Sequence, residues 1–321
     1  MQLTILQASE YAFDILKHTS ATPIVHSIYR KAVNLKAGNQ LLTLQPRGSV
    51  LSPISLITDC TEEELTELPF TANKALSITL KTEYASCQDL FLPVRDFEHN
   101  PVRQDFLRNR EFQWIFLLHK KIRQAIALAG NSDLPPHMRG VELVLNQPDL
   151  VSESLYTNAI QNILQQFHQA AGDSAKMADT LCRLIGLGIG LTPSGDDFLC
   201  GFLAGLHLSP PSSRTLTSES DISQIYMTES NYFQRILEKK ILSHLDRTNE
   251  ISAAFLQCAV LGQFSAPVHL LRNPEITAEQ IYQAFSGIGH SSGIDTLCGI
   301  YVSFSNIANQ MPDSHSKLLS N

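Results

Sequence analysis

The sequence lacks the features that mark membrane and nucleic-acid-binding proteins. No apolar run in its 321 residues approaches the roughly eighteen that a membrane span needs, and the N-terminus has no basic segment before an apolar one. We therefore expect a cytosolic (cytoplasmic) chain that has no membrane partner. Lys/Arg-rich runs are missing, and Asp plus Glu (31) exceed Lys plus Arg (24). Nucleic acid is therefore an unsuitable partner.

Charge and reactive cysteine patterns are sparse as well. Charged residues make up 17% of the chain, against roughly 25% in typical globular proteins, which is compatible with partner subunits on an uncharged surface. No CxxC pair occurs, so we interpret the cysteines as free thiols that act as small hydrophobic residues. They are Cys60, Cys87, Cys182, Cys200, Cys258 and Cys298. A GxSxG elbow and a His pair with metal spacing are also missing, which argues against Ser-His-Asp hydrolysis and transition-metal binding.

The period of the apolar pattern changes along the chain. Residues 22–94 contain short β-branched or alternating runs between Gly, Pro, Asn and Asp, which predict strands. Residues 103–129 change to apolar spacings of three and four, which predict a helix. We therefore predict an α+β fold, with a β-rich, barrel-like or sandwich-like domain of residues 1–102 and a mainly helical domain of residues 103–321. We also expect a loop at Ser209–Gln224 and a frayed tail after Asn309.

One turn is written twice in the helical half. "GIGLTPSGDDFLCG" begins at Gly188, and "GIGHSSGIDTLCG" begins at Gly287. Predicted helices flank both copies in the same order, so we interpret residues of about 151–208 and 250–306 as an internal repeat of a helix, a Gly-rich turn and a helix.

Each copy has the pattern of a helix start. Ser194 stands three residues before Asp197, and Ser292 three before Asp295, which resembles a capping box with Asp in the usual place of Glu. The glycines before each Ser permit close approach of backbone N–H groups to a ligand, and helix N-termini favour anions.

Small residues follow both turns and allow the two helices to pack closely. They are Cys200, Gly201, Ala204, Gly205, Cys298, Gly299 and Ser303. We expect the copies to pack about a pseudo-twofold axis, so that their N-termini flank one pocket. A purely structural role stays open, because Gly-rich turns with Ser caps commonly only begin helices. Capping, however, requires neither Asp196 nor His290.

The carboxylates of Asp196, Asp197 and Asp295 have three possible roles. They can cap helices, hold Mg²⁺ through oxygen ligands, or act as a general base with a raised pKa. Arg247 can clamp a carboxylate or phosphate, or it can simply favour the end of a helix. In the β-rich half we single out His26, Ser27 and Asn34 without assigning them a role.

Four segments together resemble a bacterial family formerly catalogued as a domain of unknown function. They are "GLGIGLTPSGDDFLCGFLAG", "RTNEIS", "GHSSGIDTLCG" and "VHSIYRKAVNL". One member of that family is associated with the oxamate carbamoyltransferase of anaerobic allantoin degradation, as one of three different subunits. The resemblance spans about residues 25–303. The Ser-Thr-Arg-Thr phosphate loop of ordinary carbamoyltransferases is absent, so the resemblance does not imply their fold.

The resemblance implies a transferase subunit of purine catabolism that uses carbamoyl phosphate and oxamate, in a hetero-oligomer. No cofactor is expected, although Mg²⁺ is possible. Two alternatives stay open: a Mg²⁺-dependent hydrolase, which resembles ADP-ribosyl hydrolases in its Asp-rich helix starts, and a non-catalytic structural subunit. The expected catalytic residues are Asp197, Asp295, Asp196 and His290. The expected anion-binding residues are Gly188, Gly190, Thr192, Ser194, Gly195, Arg247, Thr248, Gly289, Ser291, Ser292 and Gly293.

Overall fold

A computed structural model describes residues 3–75, 86–88, 90, 101–130, 140–146, 154–209, 229–289 and 291–309. The chain forms two compact units, one of residues 1–92 and 261–269 and the other of residues 93–260 and 270–321. The predicted loop after Ser209 and the predicted tail after Asn309 lie outside the described residues, whereas the predicted domain boundary at residues 102–103 falls at the start of the helix Pro101–Gly130. That boundary stays a prediction.

The first unit contains one mixed, six-stranded sheet. Its strands are β1 (Ile5–Ser9), β2 (Ile24–Tyr29), β3 (Ala32–Ala37), β4 (Gln40–Gln45), β5 (Ser55–Thr58) and β6 (Ser86–Gln88). The order of the described strands is β2-β3-β4-β5-β1-β6, and Ile24 of β2 also forms an antiparallel bridge with Ala75. β2, β3 and β4 form an antiparallel meander, β5 is parallel to β4, and β1 pairs antiparallel with β5 and parallel with β6. β2 and β3 lie in the range where the sequence predicts strands, and they form a hairpin.

Alternation of side chains explains why these segments form a sheet. One face is apolar and packs with the first helix into the core of this unit. Buried members of that core include Ile5, Ala12, Ile15, Val33, Leu35, Leu42, Leu44 and Leu56. On the other face Thr43 Oγ1 donates to Asn34 Oδ1 at 2.8 Å, and Asn34 Nδ2 donates to Ser27 Oγ at 3.0 Å. His26 Nδ1 lies 3.0 Å from the same hydroxyl, so the three singled-out residues of this unit form one polar network.

Three short helices accompany the sheet: α1 (Glu10–His18), α2 (Glu62–Glu67) and, after a long interval, α10 (Ala266–Leu270). Ser9 caps α1, and Thr61 with Glu64 forms a capping box on α2. Sequence reasoning missed all three, although the Thr-x-x-Glu spacing was a usable signal for α2.

Every described secondary-structure element of the second unit is a helix. Its helices are α3 (Pro101–Gly130), α4 (Val141–Asn146), α5 (Leu155–Gln169), α6 (Ser174–Leu181), α7 (Ser194–Leu208), α8 (Glu229–Leu242), α9 (Glu250–Val260), α11 (Ala278–Ser286) and α12 (Ser292–Asn309). The predicted α+β class, with a β-rich half before a mainly helical half, is confirmed. α4 and α8 were not predicted. Within the described ranges, no helix is both long and apolar enough to cross a membrane.

Candidate functional site

The two Gly-rich turns lie beside each other in the second unit. The first turn (residues 188–193) leads into α7, and the second turn (residues 287–291) leads into α12. Thr192 Oγ1 of the first turn and Ser292 Oγ, at the start of α12, are hydrogen-bonded at 2.9 Å. The prediction that the turns are neighbours and that each opens a helix is confirmed.

α7 and α12 cross with their main chains in contact. A Cβ atom on Gly201 would lie 1.8 Å from the carbonyl oxygen of Thr296, and one on Gly299 would lie 2.0 Å from that of Phe198. Phe198 and Thr296 occupy matched positions in the two copies, so the contacts are reciprocal. The predicted close approach is confirmed, and only glycine fits at either position. Duplication of the whole helical unit stays a prediction.

The glycines of the turns have two different roles. Gly190 and Gly289 have φ of +96° and +112°, and a Cβ built on either would meet nothing within 4 Å, so their backbone faces open space. Gly195 and Gly293 instead pack tightly, because their Cβ atoms would lie 2.1 Å from the Leu184 oxygen and 1.8 Å from the Phe285 oxygen. Among the described residues, the first pair therefore has open space on its Cβ side, whereas the second pair seats each helix on the element before it.

The capping boxes predicted at the two helix starts are not formed as expected. Pro193 is the N-cap of α7, without a side-chain cap bond, and Ser194 is already the first helical residue. Asp295 reaches away from its own helix, because its Oδ1 accepts a hydrogen bond of 2.5 Å from the Val141 amide at the start of α4. The spacing of Ser and Asp correctly predicted that helices begin there. The side chain of Asp295, however, bonds to the start of α4 instead of capping its own helix.

Asp196 joins the first turn to the segment before α9. Its Oδ1 accepts from the Gly186 amide at 2.8 Å, and its Oδ2 accepts from Thr248 Oγ1 at 2.5 Å. Asn249, which sequence reasoning did not single out, adds a bond of 2.9 Å from its Nδ2 to the Leu191 carbonyl oxygen. Burial raises the pKa of Asp196, and its hydrogen bonds to Thr248 and Gly186 oppose that rise. These contacts give Asp196 and Thr248 a structural role in holding the turn.

Asp197 and Asp295 form a pair that is crossed between the two copies. Hydrogen bonding from the hydroxyls of Ser292 and Thr192 lowers the pKa of Asp197. Hydrogen bonding from those of Ser194 and Ser291 lowers the pKa of Asp295. Each aspartate is therefore flanked by one hydroxyl from its own turn and one from the start of the other helix. We call these two residues the carboxyl pair.

Burial raises the pKa of both members of the carboxyl pair. Burial, followed by the charge of Asp295, raises the pKa of Asp197 well above its ordinary 3.8. Burial, followed by the charge of Glu142, raises the pKa of Asp295 to about 7, against the opposing Val141 amide and the two serine hydroxyls. Because the charge of Asp295 acts on Asp197, the titrations of the two carboxyls are coupled.

Each member of the carboxyl pair keeps one unused oxygen. Within the described residues, Oδ2 of Asp197 and Oδ2 of Asp295 are buried and have no hydrogen-bond partner. Asp295 is fully buried, while Asp197 is half-buried. Native proteins rarely leave such acceptors unpaired, so these oxygens are candidates for contact with a ligand.

Sequence reasoning missed the contribution of α4. Glu142 is buried, and its Oε2 accepts from the Gly140 amide at 2.9 Å. A Cβ on Gly140 would lie 2.0 Å from Oδ1 of Asp295, so glycine is required there too. An acidic residue inside the apolar run "VELVL" was the available signal.

The remaining predicted site residues are placed as follows. Arg247 has an exposed side chain, while its carbonyl oxygen would lie 2.3 Å from a Cβ on Gly186. Gly188 has φ of +136° and would place a Cβ 2.5 Å from the Ser194 amide nitrogen. His290 lies outside the described residues, so its catalytic role stays a prediction.

The described side chains include no metal-binding cluster and no disulfide. They contain no group of three or more His, Cys, Asp or Glu side chains that could hold a metal ion. Asp196 is engaged with Gly186 and Thr248, so it does not complete a ligand set with the carboxyl pair. The five cysteines with described side chains are free thiols, as predicted.

Two family models match this chain. One, described as oxamate carbamoyltransferase subunit AllH, matches residues 184–304, and the other, described as AllH family N-terminal domain, matches residues 4–93. Together they cover most of the chain. The chain belongs to the AllH family. No solved structure matches it.

The AllH match includes both turns, the crossing of α7 and α12 and both aspartates of the carboxyl pair. The family resemblance inferred from the Gly-rich motifs is therefore confirmed. The description names a subunit, which implies other protein subunits. Gly140, Val141 and Glu142 lie between the two matched ranges.

Proposed function

We propose that this AllH-family chain carries a catalytic site for carbamoyl transfer between carbamoyl phosphate and oxamate, in the degradation of allantoin. One observation carries the proposal: the carboxyl pair, with raised pKa values and unused buried oxygens, lies at the paired N-termini of α7 and α12. The family description supports the reaction class.

The reaction needs a base and sites for two anions. The amide nitrogen of oxamate attacks the carbamoyl carbon, the new N–C bond forms, and the bond from that carbon to the phosphate oxygen breaks. The nitrogen loses one proton, and the products are oxalurate and phosphate. Because an amide nitrogen is a poor nucleophile, a base at the nitrogen and stabilisation of the phosphate both lower the barrier.

The paired turns supply the anion sites in this proposal. Backbone near Gly190 and Gly289 faces open space at the ends of two helices of fifteen and eighteen residues. Helix N-termini favour phosphate and carboxylate groups. One turn would hold the phosphate and the other the oxamate carboxylate. The exposed Arg247 stays a candidate for adding positive charge, as does His290, which lies outside the described residues.

The carboxyl pair supplies the base. A group is most effective as a general base when its pKa lies near the working pH, and the pKa of about 7 for Asp295 meets this condition. Asp197 is the half-buried member and so the one nearer to solvent. The pair accepts the amide proton and later returns it to the departing phosphate, while Asp196 only holds the turn.

The test compares matched Asp-to-Asn substitutions. Asp197→Asn and Asp295→Asn should reduce oxalurate formation on the order of a hundredfold or more, because an amide does not take up the proton. Asp173→Asn is the control, since Asp173 is the exposed N-cap of α6 and Asn caps equally well. Turnover is measured in the assembled enzyme, together with thermal midpoints. Near wild-type turnover in both variants would make the carboxyl pair architectural and leave a non-catalytic subunit. Loss of activity with EDTA would restore the Mg²⁺ hypothesis.

A further inference from the structure

The acceptor oxygens of the carboxyl pair have a consequence for ligand choice, which rests on the proposed function. Oδ2 of Asp197 and Oδ2 of Asp295 are buried acceptors without donors in the described residues. Two of the hydroxyls beside them, Thr192 Oγ1 and Ser292 Oγ, are bonded to each other at 2.9 Å. The Val141 amide is bonded to Oδ1 of Asp295. No described residue bonds these two oxygens, so a ligand N–H group is a candidate donor for them.

We infer that the carboxyl pair is a specificity determinant, which selects an anion carrying an amide N–H group over the dicarboxylate of the same shape. Oxamate and oxalate differ only in an NH₂ group against an oxygen. The NH₂ group donates to a free Oδ2, whereas the second carboxylate of oxalate has no donor and brings a second negative charge to the pair. A site built to hydrogen-bond a ligand N–H strongly rejects the analogue that lacks it.

The charged neighbours of the carboxyl pair also disfavour a dicarboxylate ligand. Glu142 lies near Asp295, and Asp196 precedes Asp197 in α7, so every carboxylate close to the pair disfavours a second anionic group. The anion sites at the turns can bind only one end of the ligand. The end at the carboxyl pair must be a hydrogen-bond donor.

The experiment measures dissociation constants of oxamate and oxalate by calorimetry, with the full chain and with the assembled enzyme. Wild type should bind oxamate at least about tenfold more tightly, as expected for one hydrogen bond to a charged group. Asp197→Asn should bring the two ligands near parity or favour oxalate, because the Asn amide donates to a carboxylate. Asp196→Asn is the matched control and should retain the preference, since its carboxylate is engaged elsewhere.

Each other outcome has a definite meaning. Equal binding of both ligands by wild type, or an unchanged preference in Asp197→Asn, overturns the inference while the proposed function stands. If neither the chain nor the assembly binds oxamate, the proposed function fails as well. Ser292→Ala provides a second variant, should Asp197→Asn not fold, because it removes a hydroxyl beside Asp197 without changing charge. It should weaken the preference, and an unchanged preference there also contradicts the inference.

Discussion

Replacement of Asp295 by Asn should remove a specific pH dependence from the stability of the protein. Asp295 is fully buried, and burial with the nearby charge of Glu142 raises its pKa from 3.8 to about 7. At about 1.4 kcal/mol per pKa unit, a rise of this size corresponds to about 4 kcal/mol. The folded protein binds the proton more tightly than the unfolded chain. Stability from this group is therefore present below pH 3.8 and is lost as the pH rises through about 7.

The variant carries no titrating group at this position, so its stability relative to wild type should increase with pH. From the two pKa values, roughly 3 kcal/mol of the change falls between about pH 5 and about pH 8.5. Urea denaturation of wild type and Asp295→Asn across this range measures it. The difference between the proteins cancels the titrating groups that are not coupled to Asp295, and Asp197, whose pKa the charge of Asp295 raises, changes the difference in the same direction. Asn can still accept the Val141 amide bond, so the variant should fold.

Asp173→Asn serves as the reference in the same series, because it makes the same chemical change at an exposed helix cap. A difference between Asp295→Asn and wild type that stays constant from acid to alkaline pH would refute the raised pKa, and with it the argument for a base. A gain in stability together with a loss of turnover would show that the wild-type carboxyl is kept for chemistry at a cost to the fold.

Two further substitutions test the framework around the pair. Gly201→Ala should destabilise the protein by about 1–3 kcal/mol despite the better helix propensity of Ala, because the new Cβ would lie 1.8 Å from a main-chain oxygen. Gly205→Ala should cost less, since its nearest neighbours are side-chain atoms of Ser303 at 2.6 Å and 2.7 Å; equal thermal midpoints for the two would contradict the crossing geometry. Thr248→Val should lower the unfolding free energy in urea by about 1–3 kcal/mol, because it leaves an oxygen of Asp196 without its donor. No loss there would mean that the link from Asp196 to the segment before α9 is dispensable.

The local residue pattern predicted the helices and strands better than it predicted the side-chain contacts between them. The change from a period of two to a period of 3.6 located the strands of the first unit and the long helix α3. The matched small residues after the turns predicted that α7 and α12 pack closely, because glycine at Gly201 and Gly299 has no other local purpose. The first inference uses only neighbouring residues, whereas the second comes from the repetition of the motif, which identifies both the contact surface and its partner.

Long-range contacts could not be predicted in the same way. The spacing of Ser292 and Asp295 predicted a local cap, but the carboxylate is bonded to Val141, which is far away in the sequence. Residues 261–269 belong to the first unit although the chain around them belongs to the second, and nothing in their composition indicates that return. Such contacts depend on how elements meet, which a single sequence does not encode in any short window.

The crossing of α7 and α12 fixes the distance between the two Gly-rich turns. Main-chain atoms meet at Gly201 and Gly299, so no side chain stands between the helices that could be exchanged for a longer or shorter one. The distance from one turn to the other is therefore set by main-chain contacts. If the turns bind the two ends of a ligand, as we propose, substitutions in the turns alter which groups are recognised, whereas a ligand of different length requires the helices themselves to cross elsewhere.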